Sequence, residues 1–545
     1  MRILFFLLTI SLSFISAAQK QQLSYAFAYD TATGVLKIDM AMNGTDSGKT
    51  YIKLPNSFGS ERQLYKAIQQ LQVRTEGANI IETADSTIRL ITHRPKARLH
   101  ITYTLQQDWS GPLHHPKNFR AILYKKYINA TGFALFILPK MDSTQKVDVA
   151  LDWSRMPAGW AIGNSLHAQT NTYKGRLRLD DFQNTFYTAG DFRITKHLVA
   201  GKPIYIALRD TAWKFSDETL NQQIITIISK EREFWNDHTE PYYFVNLISF
   251  DGEGSYNGSA LHQSFTLAIS KDFNLGTPLL RLLAHEYMHR WNGIQIRLSG
   301  HEQENAWMGE GFTDYYTYKL LYRSGLITLD QYVASINKVI AEYYLSPVRN
   351  ESKNKLGELY WTSREYNDLP YRKGAVYALY LDQYIHTQSK GKYSLDDVMF
   401  SLLKASKNKQ PVTESLFLQL VKGYSNSDIY DQHMNMIDKG LLIPVMSVSA
   451  GPSLAAQTMM MGKFELGFDL STSWKNKKIT GLKEGSNAWT AGLRNGQSIV
   501  GYSINFDDFS QPSAIDIMED GIKKTINYVP MSAEKMEVPQ LVITK

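Results

Sequence analysis

Between about Leu23 and Phe192 apolar residues recur at every second position, as at Leu36, Ile38, Met40 and Met42 and again at Leu99, Ile101, Tyr103 and Leu105, with polar residues between them. A period of two belongs to strands with one buried face, so residues 19–200 are expected to form an antiparallel β domain. From about Pro203 the pattern changes. It predicts a strand at Ile204–Leu208, a helix opened by Ser216-Asp217 and running towards Trp235, and strands at Tyr243–Ile248 and Phe265–Ile269. A further helix follows, with Thr277 as a hydroxyl cap and Pro278 in its first turn. Helical periods continue to about Lys439, giving a mixed α+β domain over residues 201–446. A Ser/Pro/Gly/Ala-rich link, Ser447 to Gln457, leads to a final segment, residues 458–545, rich in glycine and short β-like runs. The fold class expected is multidomain α+β, without internal repeats.

The chain begins in another style. Arg2 supplies a positive start, Ile3 to Ile15 an apolar run too short to span a bilayer, and Ser16-Ala17-Ala18 the small residues that a signal peptidase needs. Residues 1–18 are therefore expected to be a signal peptide, and the protein to be exported, either periplasmic or secreted. No later stretch approaches the roughly 20 apolar residues of a membrane span. Cysteine is absent, so a disulfide framework and a cysteine-borne lipid anchor are excluded. With 59 basic and 52 acidic side chains the net charge is +7, small for 545 residues and not gathered into a basic block. No nucleic-acid partner is expected. The 32 tyrosines and 10 tryptophans suit a folded protein rather than a disordered one.

Chemistry enters at LLRLLAHEYMHRWN, Leu279 to Asn292, where an apolar helical run suddenly carries His285, Glu286 and His289. Positions i and i+4 lie one turn apart on the same helix face, so both imidazoles can meet one metal ion. Glu286 sits about 100° round the helix, within reach of a water at that metal without being a ligand. Zinc suits imidazole and carboxylate donors with one position left for water or substrate. A third ligand is supplied by Glu310 in NAWMGEGFTDYYTYKLLYRSGL, Asn305 to Leu326, a glutamate between glycines amid Trp307, Phe312 and Tyr315, which is no solvated face. Asp314, four residues on and on the same face, is placed to accept a hydrogen bond from the second ring nitrogen of a ligand histidine.

HEYMHRWN, followed by WMGEGFTDYY and then by LPYRKGAVYALYLD at Leu369 to Asp382, resembles the glycyl aminopeptidase family of gluzincin zinc metallopeptidases. The domain order fits the same family over almost the whole mature chain: an N-terminal β domain, a thermolysin-like α+β catalytic domain and a PDZ-like tail. The resemblance implies one zinc ion per chain on His285, His289 and Glu310, with Glu286 as general base. It points to Tyr371, in PYRKG, as the residue that stabilises the oxyanion. It also implies peptide or protein substrates cut at the N-terminus, with small residues such as Gly and Ala favoured.

Two features depart from the family pattern. Relatives carry a glycine-rich strand-edge motif whose glutamate binds the substrate's amino terminus; the matching text is DGEGSYNGSALHQSF, Asp251 to Phe265, where Tyr256 or Asn257 holds the glutamate position and Glu253 is the neighbouring acidic candidate. Exopeptidase action is thereby less firmly implied than peptide hydrolysis, and a zinc endopeptidase on the same scaffold is the alternative. In the tail, FELGFDL, Phe464 to Leu470, resembles the loop with which PDZ domains capture a C-terminal peptide. Ile479 to Ile504 resembles their central strand, short helix and following turn. Yet Ala514 to Pro530 alternates around Asp520-Gly521 and reads as a hairpin rather than as the helix that closes such a groove. A non-catalytic peptide-binding scaffold is a third reading, disfavoured because all four of His285, Glu286, His289 and Glu310 are present.

Overall fold

The computed structural model describes residues 21–544 apart from residues 60, 111–112, 114–118, 167–169, 210–212, 252–255, 449–452 and 505–510; the predicted signal peptide lies outside the described residues. The described residues form two compact units, one within residues 1–217 and 239–274 and the other within residues 218–238 and 275–545.

In the first unit a six-stranded sheet is built from β1 (Gln22–Asp30), β2 (Val35–Asn43), β3 (Ile68–Val73), β4 (Arg98–Leu105), β5 (Lys146–Arg155) and β6 (Thr172–Arg178), in the order β6-β5-β1-β2-β4-β3. The period-two residues face one way: Leu36, Ile38, Met40 and Met42 of β2 and Leu99, Ile101, Tyr103 and Leu105 of β4 are all buried. Pairing is antiparallel throughout except between β1 and β5, which run parallel. The hydroxyls of Tyr25 and Tyr103 reach the backbone carbonyls of Ile137 and Leu135, so these aromatics bury their rings without leaving a polar atom unpaired.

Besides two four-stranded sheets, this unit contains a mixed five-stranded sheet: β7 (Arg193–Val199), β8 (Lys202–Arg209), β9 (Tyr243–Phe250), β10 (Tyr256–Leu261) and β11 (Ser264–Ser270), in the order β7-β8-β9-β11-β10. Residues of β9 and β11 are buried along their whole length, as expected of strands covered on both faces.

The second unit is mainly helical. It contains most of α1 (Asp217–Trp235), then α2 (Thr277–Met288), α3 (Thr313–Arg323), α4 (Leu329–Tyr344) and the long α5 (Arg364–Gln388). The start of α4 is a capping box, with Gln331 N–H donating to the Thr328 hydroxyl at 3.2 Å and Thr328 N–H donating to Gln331 Oε1 at 2.8 Å. At α2 the expected hydroxyl cap is absent: Gly276, in extended conformation, holds the cap position and Thr277 is already helical, with Pro278 in the first turn. Within α5, Pro370 cannot donate to the Tyr366 carbonyl, yet the helix continues through it and delivers Tyr371.

The tail belongs to the second unit. Strands β12 (Leu454–Phe464) and β16 (Met531–Ile543) form an antiparallel ribbon, and β13 (Ser498–Ser503), β14 (Ser513–Glu519) and β15 (Ile522–Tyr528) form a sheet. Asn337 of α4 clamps the ribbon to the helices, donating to the Leu541 carbonyl at 2.8 Å and accepting from Leu541 N–H at 2.6 Å. Asp520 and Gly521 both adopt positive φ, 50° and 78°, the requirement of a tight hairpin turn, and join β14 to β15. After FELGF the chain forms a short helix, Leu470–Asn476, not a strand. Instead of a central strand near Ile479 there is a single bridge between Lys478 and Ser498, whereas a short helix does follow at Asn487–Thr490.

Candidate metal centre

The apolar residues around the chemistry hold α2 in place: Leu279, Leu280, Leu282 and Leu283 are buried, as are His285 and Glu286, and His289 sits at the helix C-terminus. His285 Nδ1 lies 2.8 Å from Asp314 Oδ1, and His289 Nδ1 lies 3.0 Å from the Asn292 carbonyl oxygen. A carbonyl accepts only, and so does an ionised carboxylate, so each imidazole donates from Nδ1 and turns Nε2 inward. The two Nε2 atoms stand 3.1 Å apart, and Glu310 Oε2 lies 3.2 Å from that of His285 and 3.3 Å from that of His289. Three donor atoms facing one point repel each other unless a cation lies among them. Tetrahedral zinc, with bonds of about 2.0–2.1 Å, has donor–donor edges of roughly 3.3–3.4 Å. The donor set fits that ion in chemistry and in spacing.

Electrostatics point the same way. Burial works against charge on His289, but Glu310 outweighs it and lifts the imidazole to about 9. Against the upward push of burial, His289 and His285 hold Glu310 well below the usual carboxylate range. The pull that strengthens proton binding at this centre also strengthens the binding of a metal ion. Glu286 is raised by its burial, while the charges of His285 and His289 hold it down.

Glu310 reaches the histidines from a π-helical turn, Trp307–Phe312, that runs straight into α3. Two contacts set this turn. Asn292, fully buried, donates from Nδ2 to the Met308 carbonyl at 2.8 Å, to the Gly309 carbonyl at 3.2 Å and to the Thr313 hydroxyl at 3.0 Å. The same residue accepts the His289 Nδ1 proton on its carbonyl, so it joins two of the three donors. The second contact is between backbones: a Cβ on Gly311 would lie 2.4 Å from Gly374 Cα, and one on Gly374 would lie 1.8 Å from the Trp307 carbonyl oxygen. The glycine after Glu310 and the glycine of PYRKG are thus what let α5 cross the Glu310 turn.

That crossing brings Tyr371 beside the metal ligands. Its ring stacks against His285, with centroids 6.1 Å apart and planes 19° from parallel. Burial, followed by the charge of Glu310, pushes its phenol well above the ordinary tyrosine range, and it hydrogen-bonds Tyr360. A protonated phenol can donate a hydrogen bond. A cleft of about 210 Å³ opens against Glu310 and Tyr371, walled by Ile296, Leu298, Met308, Tyr360 and Trp361.

The structure thus brings His285, Glu286, His289, Glu310, Asp314 and Tyr371 together within one unit. The proposed amino-terminus anchors belong to the other. Tyr256 opens β10 with its ring edge-on to Phe273 at 5.2 Å, Asn257 follows it in the strand, and Glu253 lies outside the described residues. Asn292, Tyr360, Arg281 and Arg372 were not singled out from the sequence. Signals existed for three of them: Asn292 ends HEYMHRWN, Arg281 precedes His285 by one helical turn, and Arg372 follows Tyr371. A second cluster of metal-type donors, Glu414, His433 and Asp438, is bound by an ammonium group: Lys353 Nζ lies 2.9 Å from both Glu414 oxygens and 2.6 Å from Asp438.

Fold and donor set together define a zinc metallopeptidase of aminopeptidase-like build. Residues 278–366, which include His285, His289 and Glu310, match the family model M61 glycyl aminopeptidase. No curated protein matches by sequence. Among solved structures, an aminopeptidase N family protein from Idiomarina loihiensis superposes over 96% of this chain and 98% of its own, with a TM-score of 0.72 at 15% identity, a likeness of fold. An M1 zinc metallopeptidase from Deinococcus radiodurans covers 78% of this chain and 94% of its own at 14% identity, with a TM-score of 0.48.

Proposed function

We propose that the protein is an exported zinc aminopeptidase that removes N-terminal residues, small ones such as Gly and Ala favoured, from peptides. One zinc ion per chain would be held by His285, His289 and Glu310, with Asp314 fixing the tautomer of His285. The observation that carries the reading is the convergence of the two histidine Nε2 atoms and Glu310 Oε2, each 3.1–3.3 Å from the others. Bound zinc supplies Lewis acidity to the peptide carbonyl and acidifies a water. Glu286, adjacent to the first ligand and made more basic by burial, takes the proton of the attacking water and returns it to the leaving amine. Tyr371, held protonated, donates to the oxygen on which charge develops, an interaction typically worth a few kcal/mol of barrier.

Recognition of the substrate's amino terminus is proposed, on the family resemblance, for the Asp251–Phe265 segment, with Glu253 as the charged candidate and Tyr256 and Asn257 as its neighbours in sequence. Export follows from residues 1–18, with the mature protein periplasmic or secreted. Residues 19–200, 201–446 and 458–545 are the proposed β, catalytic and PDZ-like domains. The helix after FELGF favours an altered groove in the tail, where a C-terminal peptide would be the ligand. One peptide offered with a free and with an acetylated amino terminus tests the reading. Preference for the free amine supports an aminopeptidase, and equal cleavage of both identifies an endopeptidase.

A further inference from the structure

Asp314, which fixes His285, is itself fixed from two sides. Its side chain is 0% exposed. Arg281 Nη2 donates to Oδ1 at 2.5 Å, Arg372 Nη1 donates to Oδ2 at 3.1 Å, and Nε of Arg372 is in turn paired with Glu342. Four helices contribute to this network: Arg281 lies on α2 one turn before His285, Asp314 on α3, Arg372 on α5, and Glu342, the partner of Arg372, on α4.

A carboxylate rotates easily about its terminal torsion, whose energy profile is broad and nearly two-fold. A single donor would leave that rotation open. Here each oxygen has its own guanidinium, so the plane of Asp314 is set and the remaining acceptor position on Oδ1 is aimed at Nδ1 of His285. Arg372 has a second consequence because it is the neighbour of Tyr371. The ion pair that orients the metal ligand also fixes the part of α5 that carries the phenol.

We propose that Arg281 and Arg372 are positioning residues of the metal centre: acting through Asp314 they orient His285, and Arg372 couples that orientation to the placement of Tyr371. The proposal rests on the zinc reading above. Removing a group that orients a metal ligand typically costs 10–100-fold in metal affinity.

The test is the zinc dissociation constant of the full-length protein, measured by competition with a chromophoric chelator, for Arg281→Met, Arg372→Met, Asp314→Asn and the Arg372→Met/Asp314→Asn double variant. Thermal unfolding of each metal-free protein is followed in parallel. Each single variant is expected to bind zinc at least about tenfold more weakly. The double variant should match Asp314→Asn within about twofold, because Arg372 then has no carboxylate to orient. Unchanged zinc affinity in Arg372→Met, or an equal further loss in the double variant, overturns the proposal. If the methionine variants do not fold, Arg372→Lys decides, since it keeps the charge but not the fork: weakened zinc binding supports the proposal and wild-type affinity overturns it. Wild-type protein that binds no zinc overturns the zinc reading itself, an outcome distinct from wild-type binding that is insensitive to the arginines.

Discussion

Gly374 passes the turn that carries Glu310 so closely that a single methyl group on it would fall 1.8 Å from the Trp307 carbonyl oxygen. A Cβ on Gly309, the residue before Glu310, would meet nothing within 4 Å. Because backbone cannot move aside as a flexible side chain can, Gly374→Ala should lower stability by at least about 1–3 kcal/mol and weaken zinc binding. Gly309→Ala should melt within a few degrees of wild type. Thermal unfolding of the two variants side by side measures the difference, and equal melting temperatures would contradict the crossing described.

Asn292 holds the same turn through hydrogen bonds. Asn292→Leu removes the donor that the Met308 and Gly309 carbonyls share; the Gly309 carbonyl keeps the Thr313 hydroxyl at 2.7 Å, so the loss falls mainly on the Met308 carbonyl, at a cost of about 1–3 kcal/mol for a weakened or lost partner. Zinc affinity should fall with stability, since the turn positions Glu310. A variant that loses stability but keeps wild-type zinc affinity would show that Asn292 supports the fold alone.

Tyr371→Phe removes the hydroxyl proposed to donate to the developing oxyanion and leaves the ring that stacks on His285. The turnover number should drop by about 10²–10³-fold, with KM changed far less. A matching rise in KM would instead mark Tyr371 as a substrate contact.

The Glu414 cluster gives a pH prediction away from the metal. The hydrogen bond from His433, offset in part by burial and reinforced by Lys353, lowers the Glu414 carboxyl from 4.5 to about 2. A carboxyl lowered on folding stabilises the protein fully above its unfolded value, and that stabilisation is lost as pH falls through the folded value. The stability difference between wild type and Glu414→Gln should therefore be constant above about pH 5 and shrink between about pH 4.5 and 2. Chemical denaturation of both proteins across that range is the measurement, and a pH-independent difference would exclude the carboxylate as its source.

What could be read from the sequence was local. His285, His289 and Asp314 follow from helical periodicity, since positions one turn apart share a face, and period two marked Leu36 to Met42 and Leu99 to Leu105 as buried strands. The Asp520-Gly521 hairpin was legible because two positive-φ positions need such residues. Contacts between distant segments were not. Nothing in the spacing of Arg281 and Arg372, 91 positions apart by their numbers, shows that both meet Asp314, and the π-turn under Glu310 depends on Asn292 from another segment. At Thr277 a general capping preference gave way to local geometry, because Gly276 takes the extended conformation that a cap requires. Two compact units were likewise invisible to a pattern that placed β8, β9 and β11 with the helices that follow them.

Glu286→Gln with its zinc content measured tests the central assignment most directly. The amide keeps the size of the side chain and leaves His285, His289 and Glu310 intact, but it cannot take a proton from water. Purified wild type and variant should each carry one zinc ion per chain, and the variant should lose nearly all peptide hydrolysis. Wild-type turnover in a zinc-loaded Glu286→Gln protein, or full hydrolysis by metal-free wild type, would contradict it.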